Sequence, residues 1–162
     1  MWLSRLIAIL LVGMLTACTG LSVAPLGTKF TKDDLSIAVI ETGGRNGQIY
    51  SRALKSLIGG AADPAFTLSS ELSVASSSTL TVRGSSSNLK KRSMTAKITL
   101  VDAATGKTVM SDSILESSTV GTVSSYYAQT RSDKHSDERT SLLLAERVAA
   151  RVHLYFLDAK GQ

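Results

Sequence analysis

The 162-residue chain has a single cysteine, Cys18, so no internal disulfide can form even in an oxidising compartment. No nucleophile elbow, paired metal-ligand histidines or Cys–His pair is present, which removes the usual frameworks for covalent catalysis and metal binding. His135 sits in a charged segment and reads as a solvated side chain, and His153 as a surface or boundary residue. The adjacent carboxylates Asp33-Asp34 and Asp137-Glu138 point their side chains apart, so neither is an acid/base pair. The glycine-rich stretch Gly43-Gly44-Arg45-Asn46-Gly47 runs into Gln48-Ile49 instead of a phosphate-binding lysine and hydroxyl, and reads as a connecting turn. No apolar run reaches the roughly 20 residues that span a bilayer as a helix. An enzyme, a metal site and a bound cofactor are therefore not expected.

What is present begins at the N-terminus. Met1 to Arg5 is short and basic, and Leu6 to Leu15 is uninterruptedly apolar, within the roughly 7–15 residues of a signal-peptide core. Leu15-Thr16-Ala17-Cys18 then resembles a bacterial lipobox: an apolar residue, two small ones that let the peptidase approach the backbone, and the thiol that receives lipid. Residues 1–17 are expected to be a cleaved lipoprotein signal peptide, with Cys18 lipidated and residues 18–32 a tether. Such lipoproteins carry three acyl chains, and more than one chain makes a stable anchor. Thr19 follows the cysteine in place of the aspartate that holds many lipoproteins at the inner membrane, which points to the outer membrane. Loss of Arg5 takes the net charge from +5 to +4, favouring anionic partners such as lipopolysaccharide phosphates over nucleic acid.

The remainder, 33–160, is the size of one domain. Leu35 to Glu41 is short and β-branched, and reads as a strand buried on both faces and central in its sheet. Gln48 to Ile58 places Ile49, Ala53, Leu54, Leu57 and Ile58 on one helical face, stopped by Gly59-Gly60. From Phe66 to Val82 apolar residues hold even positions against Ser, Thr, Glu71 and Arg83, a register long enough to predict a bend near Ser76-Ser77-Ser78. Ser85 to Arg92 reads as a loop. Met94, Ala96, Ile98 and Leu100 alternate as a further strand, and a hairpin at Asp102 to Gly106 returns through Lys107 to about Glu116.

The final helix is expected to start near Ser132 or Ser136, with Asp133, Asp137 and Glu138 answering its dipole. Its apolar stripe is Leu142, Ala145, Val148, Ala149, Val152 and Phe156. The order strand, helix, three strands, helix predicts an α+β two-layer sandwich: an about four-stranded mixed sheet with two helices on one face. The serine- and threonine-rich face stays uncovered, a candidate docking surface. Five cations, Arg83, Lys90, Lys91, Arg92 and Lys97, gather around one hairpin and form the candidate anion-binding group.

In order along the chain, Cys18-Thr19-Gly20-Leu21 with Pro25-Leu26, Ser36 to Leu57 with Arg45-Asn46-Gly47-Gln48, Thr95 to Asp102 with Thr105-Gly106, and Ser125-Tyr126-Tyr127-Ala128 with Leu144 to Val152 and Tyr155-Phe156 resemble the LPS-assembly lipoproteins (LptE) in their alphaproteobacterial form. The opening is stretched and the middle unusually rich in serine. The resemblance implies a non-catalytic plug and assembly partner inside the outer-membrane β-barrel LptD, helping to deliver lipopolysaccharide to the cell surface. A serine- and threonine-lined face suits the polar lumen of a barrel. The alternative is an accessory lipoprotein of an ABC-type lipid-transport system.

Overall fold

The computed structural model describes residues 36–59, 63–78 and 89–160. The expected signal peptide, tether, Cys18 and Arg83 lie outside the described residues. Six elements follow one another: β1 (Ile37–Val39), α1 (Gly44–Ile58), β2 (Phe66–Ser78), β3 (Leu89–Asp102), β4 (Thr108–Gly121) and α2 (Tyr126–Lys160). The strands form one sheet in the order β1-β2-β3-β4, with β1 parallel to β2 and the other neighbours antiparallel. The helices pack on each other, α1 also against β1 and α2 across β3 and β4. This is the predicted two-layer α+β arrangement, with both helices on one face of a mixed sheet.

Helix α1 forms because two glycines turn the chain into it. Gly43 is extended, and Gly44 has φ 77°, a left-handed conformation that a side chain disfavours. Gly47, Tyr50, Ser51, Leu54 and Ile58 then turn inward at helical spacing. This corrects the expected stripe, since Leu57 is 36% exposed and Ile49 and Ala53 lie at the margin. The difference lies in Tyr50, whose ring is fully buried while its hydroxyl meets Ser70 Oγ at 2.9 Å. An amphipathic side chain thus became a core residue once its polar end found a partner. At the other end, the Gly59 N–H donates to the Lys55 carbonyl at 3.0 Å and the helix stops.

Helix α2 starts at Tyr126, ahead of the expected Ser132 or Ser136 by roughly two to three turns. Its cap is Ser125, whose hydroxyl accepts the Ala128 N–H at 3.4 Å. Leu144, Ala145, Val148, Ala149, Val152 and Phe156 bury its inner face, whereas the expected Leu142 is 45% exposed and Leu144 takes its place. Ile37 and Val39 of β1, Leu68 of β2, and Met94, Ala96, Ile98 and Leu100 of β3 are buried residues of the sheet's inner face, with α2 packed across β3. Phe66 and Phe156 stack edge to face with centroids 5.1 Å apart. Burying one such Leu or Ile contributes about 1.5–3 kcal/mol.

Three strand expectations are corrected. β1 is an edge strand, not a central one; Ile37 and Val39 are buried on the side of α1 and Ala38 only partly. β2 pairs with β3 in unbroken step to Ser78↔Lys90, so the serines at 76–78 do not bend out of the ladder. Residues 89–92 are not loop but the start of β3, with Leu89 to Arg92 paired to Gly121 to Ser118. The register shift opposite Val109 lies between Leu100 and Val101. Val109 and Met110 are adjacent apolar residues that would face opposite sides of a regular strand, and the bulge lets Met110 turn inward to 7% exposure.

Candidate functional site

Strand alternation gives the sheet two unlike faces. The inner face carries the core and then, towards β4 and the first half of α2, changes to a polar seam. Arg92 donates from Nε and Nη2 to the two carboxylate oxygens of Asp137, each at 2.7 Å, with Asp133 3.6 Å from Nη1. Those bonds hold the Arg92 guanidinium above its ordinary pKa, Asp137 being the main cause. Arg151 Nε donates to Asp112 at 2.6 Å and pulls that carboxyl below the usual carboxylate range. Glu116 Oε2 is buried, and the Arg147 charge 2.5 Å away meets it without an aligned hydrogen bond. Ser118 Oγ bonds Ser136 Oγ at 2.6 Å and accepts from Thr140 at 3.0 Å. Sheet and helix carry opposite charges in register along this seam, which fixes how α2 lies over the strands.

Among the described residues, no helix lies over the outer face. Across β2, β3 and β4 its rows read Ser69-Thr99-Ser111, Glu71-Lys97-Ser113, Ser73-Thr95-Leu115 and Ser77-Lys91-Thr119. Neighbouring strands lie about 4.8 Å apart, so the hydroxyls form a lattice of donors and acceptors over three strands. Leu115, at 54% exposure, is an apolar side chain within it. The apolar core behind holds the sheet rigid, so the surface is presented without a folding cost at the moment of docking.

The candidate cation group does not stay together. Lys91 and Lys97 stand on the uncovered face, six residues apart along β3, roughly 20 Å. Lys90, opposite Val120, and Arg92 belong to the inner face. Arg92 is already bonded to two carboxylates and is 17% exposed at its side chain, which removes it from any anion site. The loop assignment of 85–92 placed these cations in one cluster; strand geometry divides them between faces.

Sequence inspection missed a second basic group. Arg45, Arg131, Ser132, Lys134, His135 and Glu138 line a cleft of about 580 Å³ beside the two helix starts. Arg45 donates to Glu138 through Nε and Nη2 at 3.0 and 2.6 Å and depresses the Glu138 pKa. Asp137 and Glu138 thus diverge to different arginines, as their adjacency implied. The signal for the cleft was the spacing of Arg131, Lys134 and Glu138, visible only if α2 is begun at Tyr126. His153 is half-buried and its pKa is lowered by that burial. Among the described residues, no three His, Cys, Asp or Glu side chains are grouped to hold a metal, and no helix is long and apolar enough to cross a membrane.

No family model and no curated protein matches the chain. Solved structures do. Rare lipoprotein B from Shewanella oneidensis is similar at a TM-score of 0.61 and 11% identity, over 78% of this chain and 98% of that one. A minor lipoprotein from Acinetobacter baumannii matches at 0.57 and 9%, over 74% and 90%. A candidate lipoprotein from Caulobacter crescentus matches at 0.57 and 22%, over 74% and 89%. At these identities the likeness is one of fold. The two-layer architecture described above recurs in chains known as lipoproteins.

Proposed function

We propose that this chain is an outer-membrane lipoprotein, anchored through Cys18, that acts by docking and not by catalysis. Its partner in this reading is the β-barrel LptD, whose lumen it plugs and whose assembly it assists, so that lipopolysaccharide reaches the cell surface. The observation that carries the proposal is the uncovered hydroxyl-rich face of β2, β3 and β4. Antiparallel strands commonly leave one polar face to water, and here, among the described residues, that face stays free for a partner. A polar barrel lumen offers donors and acceptors to match it.

Three features support the reading. The lipobox at Leu15 to Cys18 supplies an anchor. The fold is shared with rare lipoprotein B of Shewanella oneidensis. Lys91 and Lys97 give the open face a positive bias partly offset by Glu71, which suits phosphate-bearing lipopolysaccharide passing close by.

The test is detergent solubilisation of membranes containing the anchored protein, followed by pull-down. Recovery of a large outer-membrane β-barrel supports the proposal. Recovery of permease or lipid-shuttle components instead would replace it with an accessory role in ABC-type lipid transport.

A further inference from the structure

The start of α2 exposes what a folded domain normally hides. Tyr126 and Tyr127 are 86% and 73% exposed, and Val123, just before them, is 50% exposed. Each aromatic ring is a large apolar surface, and adjacent exposed rings beside an aliphatic residue make a patch of the kind that marks an interaction site.

The same helix face continues as charge. Tyr127, Arg131 and Lys134 follow one another at steps of four and three, so they stand in one outward stripe with His135 beside it. The acids of this segment are all engaged elsewhere: Asp133 and Asp137 on Arg92, and Glu138 on Arg45. Glu138 is the one carboxylate lining their cleft among the described residues, and with Arg45 already bonded to it, Arg131 and Lys134 leave this end of the helix with an excess of positive charge. Tyrosines at headgroup depth with Arg and Lys reaching phosphates is the combination that favours a bilayer interface.

We propose that this end of the domain, centred on Tyr126, Tyr127, Arg131 and Lys134, docks on the surface of an anionic bilayer. The tyrosine rings enter the headgroup layer and the two cations pair with lipid phosphates. This orients the tethered domain and requires the anchored reading of Cys18, but no barrel partner. Chain length allows it. Ser36 lies at the Phe66 end of the sheet, where its carbonyl accepts the Phe66 N–H, and β2 runs roughly 40 Å from there to Ser78. The eighteen residues from Cys18 to Ser36 reach at most roughly 60 Å.

The experiment uses the full chain with its lipid anchor, reconstituted into phosphatidylcholine vesicles with or without phosphatidylglycerol. Tyr127→Trp is the reporter, since Trp2 is the single natural tryptophan and leaves with the signal peptide when Cys18 is lipidated. With phosphatidylglycerol present, its emission should shift to the blue and be quenched by brominated lipid. High salt should reverse both effects, and Arg131→Glu with Lys134→Glu should reduce the quenching roughly five-fold at unchanged circular dichroism. Equal emission and equal acrylamide access in the two vesicle types overturns the proposal. So does the same shift produced by inorganic phosphate without vesicles, which would make the feature a phosphate cleft.

Discussion

Arg92 on β3 grips Asp137 on α2 with two parallel hydrogen bonds of 2.7 Å, Nε to Oδ1 and Nη2 to Oδ2. This two-pronged pairing ties the first half of α2 to the sheet at side chains only 17% and 15% exposed. A residue that in the sequence belonged to a basic run is thus a structural clamp.

Removing the guanidinium should therefore be destabilising. Arg92→Ala leaves Asp137 and Asp133 as half-buried, like-charged neighbours, and should lower stability by about 2–3 kcal/mol. Urea unfolding should show the midpoint falling. Arg92→Met combined with Asp137→Leu should lose less than Arg92→Ala alone, because an apolar pair leaves no stranded charge at that position.

Lys91 and Lys97 should behave in the opposite way. Both are exposed on the open face, so Lys91→Glu with Lys97→Glu should change stability by no more than about 0.5 kcal/mol. If the open face meets lipopolysaccharide, the same double change should weaken its binding in a salt titration. A stable variant that binds unchanged would show that these lysines do not contact the lipid.

Gly47 is a sharp steric test of the turn before α1. A Cβ there would lie 2.5 Å from the Thr42 carbonyl oxygen, a backbone atom that cannot swing aside. Gly47→Ala should lower stability by about 1–3 kcal/mol despite its better helix propensity. Thermal unfolding of Gly47→Ala beside Gly43→Ala, where a Cβ meets nothing within 4 Å, separates crowding from backbone entropy.

Tyr50 gives a pH signature. Burial pushes its phenol up to about 12, with the Ser70 hydrogen bond opposing only in part. Its folded value exceeds the ordinary tyrosine value of about 10, so its contribution is complete below pH 10 and is lost as the pH rises towards 12. Absorbance at the tyrosinate band should show a late phase that disappears in Tyr50→Phe.

Much of the fold was legible because alternation is a local signal. The even positions 94–100 point to the helices and the odd positions to solvent, as their side chains dictate. Where tertiary contacts override local rules, the sequence misled. Asp133 and Asp137 looked like acids answering a helix dipole, which moved the expected start of α2 roughly two to three turns late; they answer Arg92 instead. β1 looked central because its run is short, apolar and β-branched, yet it lies at the sheet edge, where Ile37 and Val39 are buried on the side of α1 and Ala38 only partly. The candidate site was legible as a face and illegible as a cluster. Composition makes Lys90, Lys91 and Arg92 neighbours, and only strand geometry sends Lys91 to one side and the other two to the opposite one.

The central claim is that the uncovered face is the docking face. It is tested most directly by placing a photo-crosslinking residue at Thr95 or Ser113, in the middle of that face, and irradiating intact cells. The account predicts a covalent adduct with an outer-membrane β-barrel protein from both positions. Adducts only with inner-membrane transport components, or none from either position in a correctly anchored protein, would contradict it.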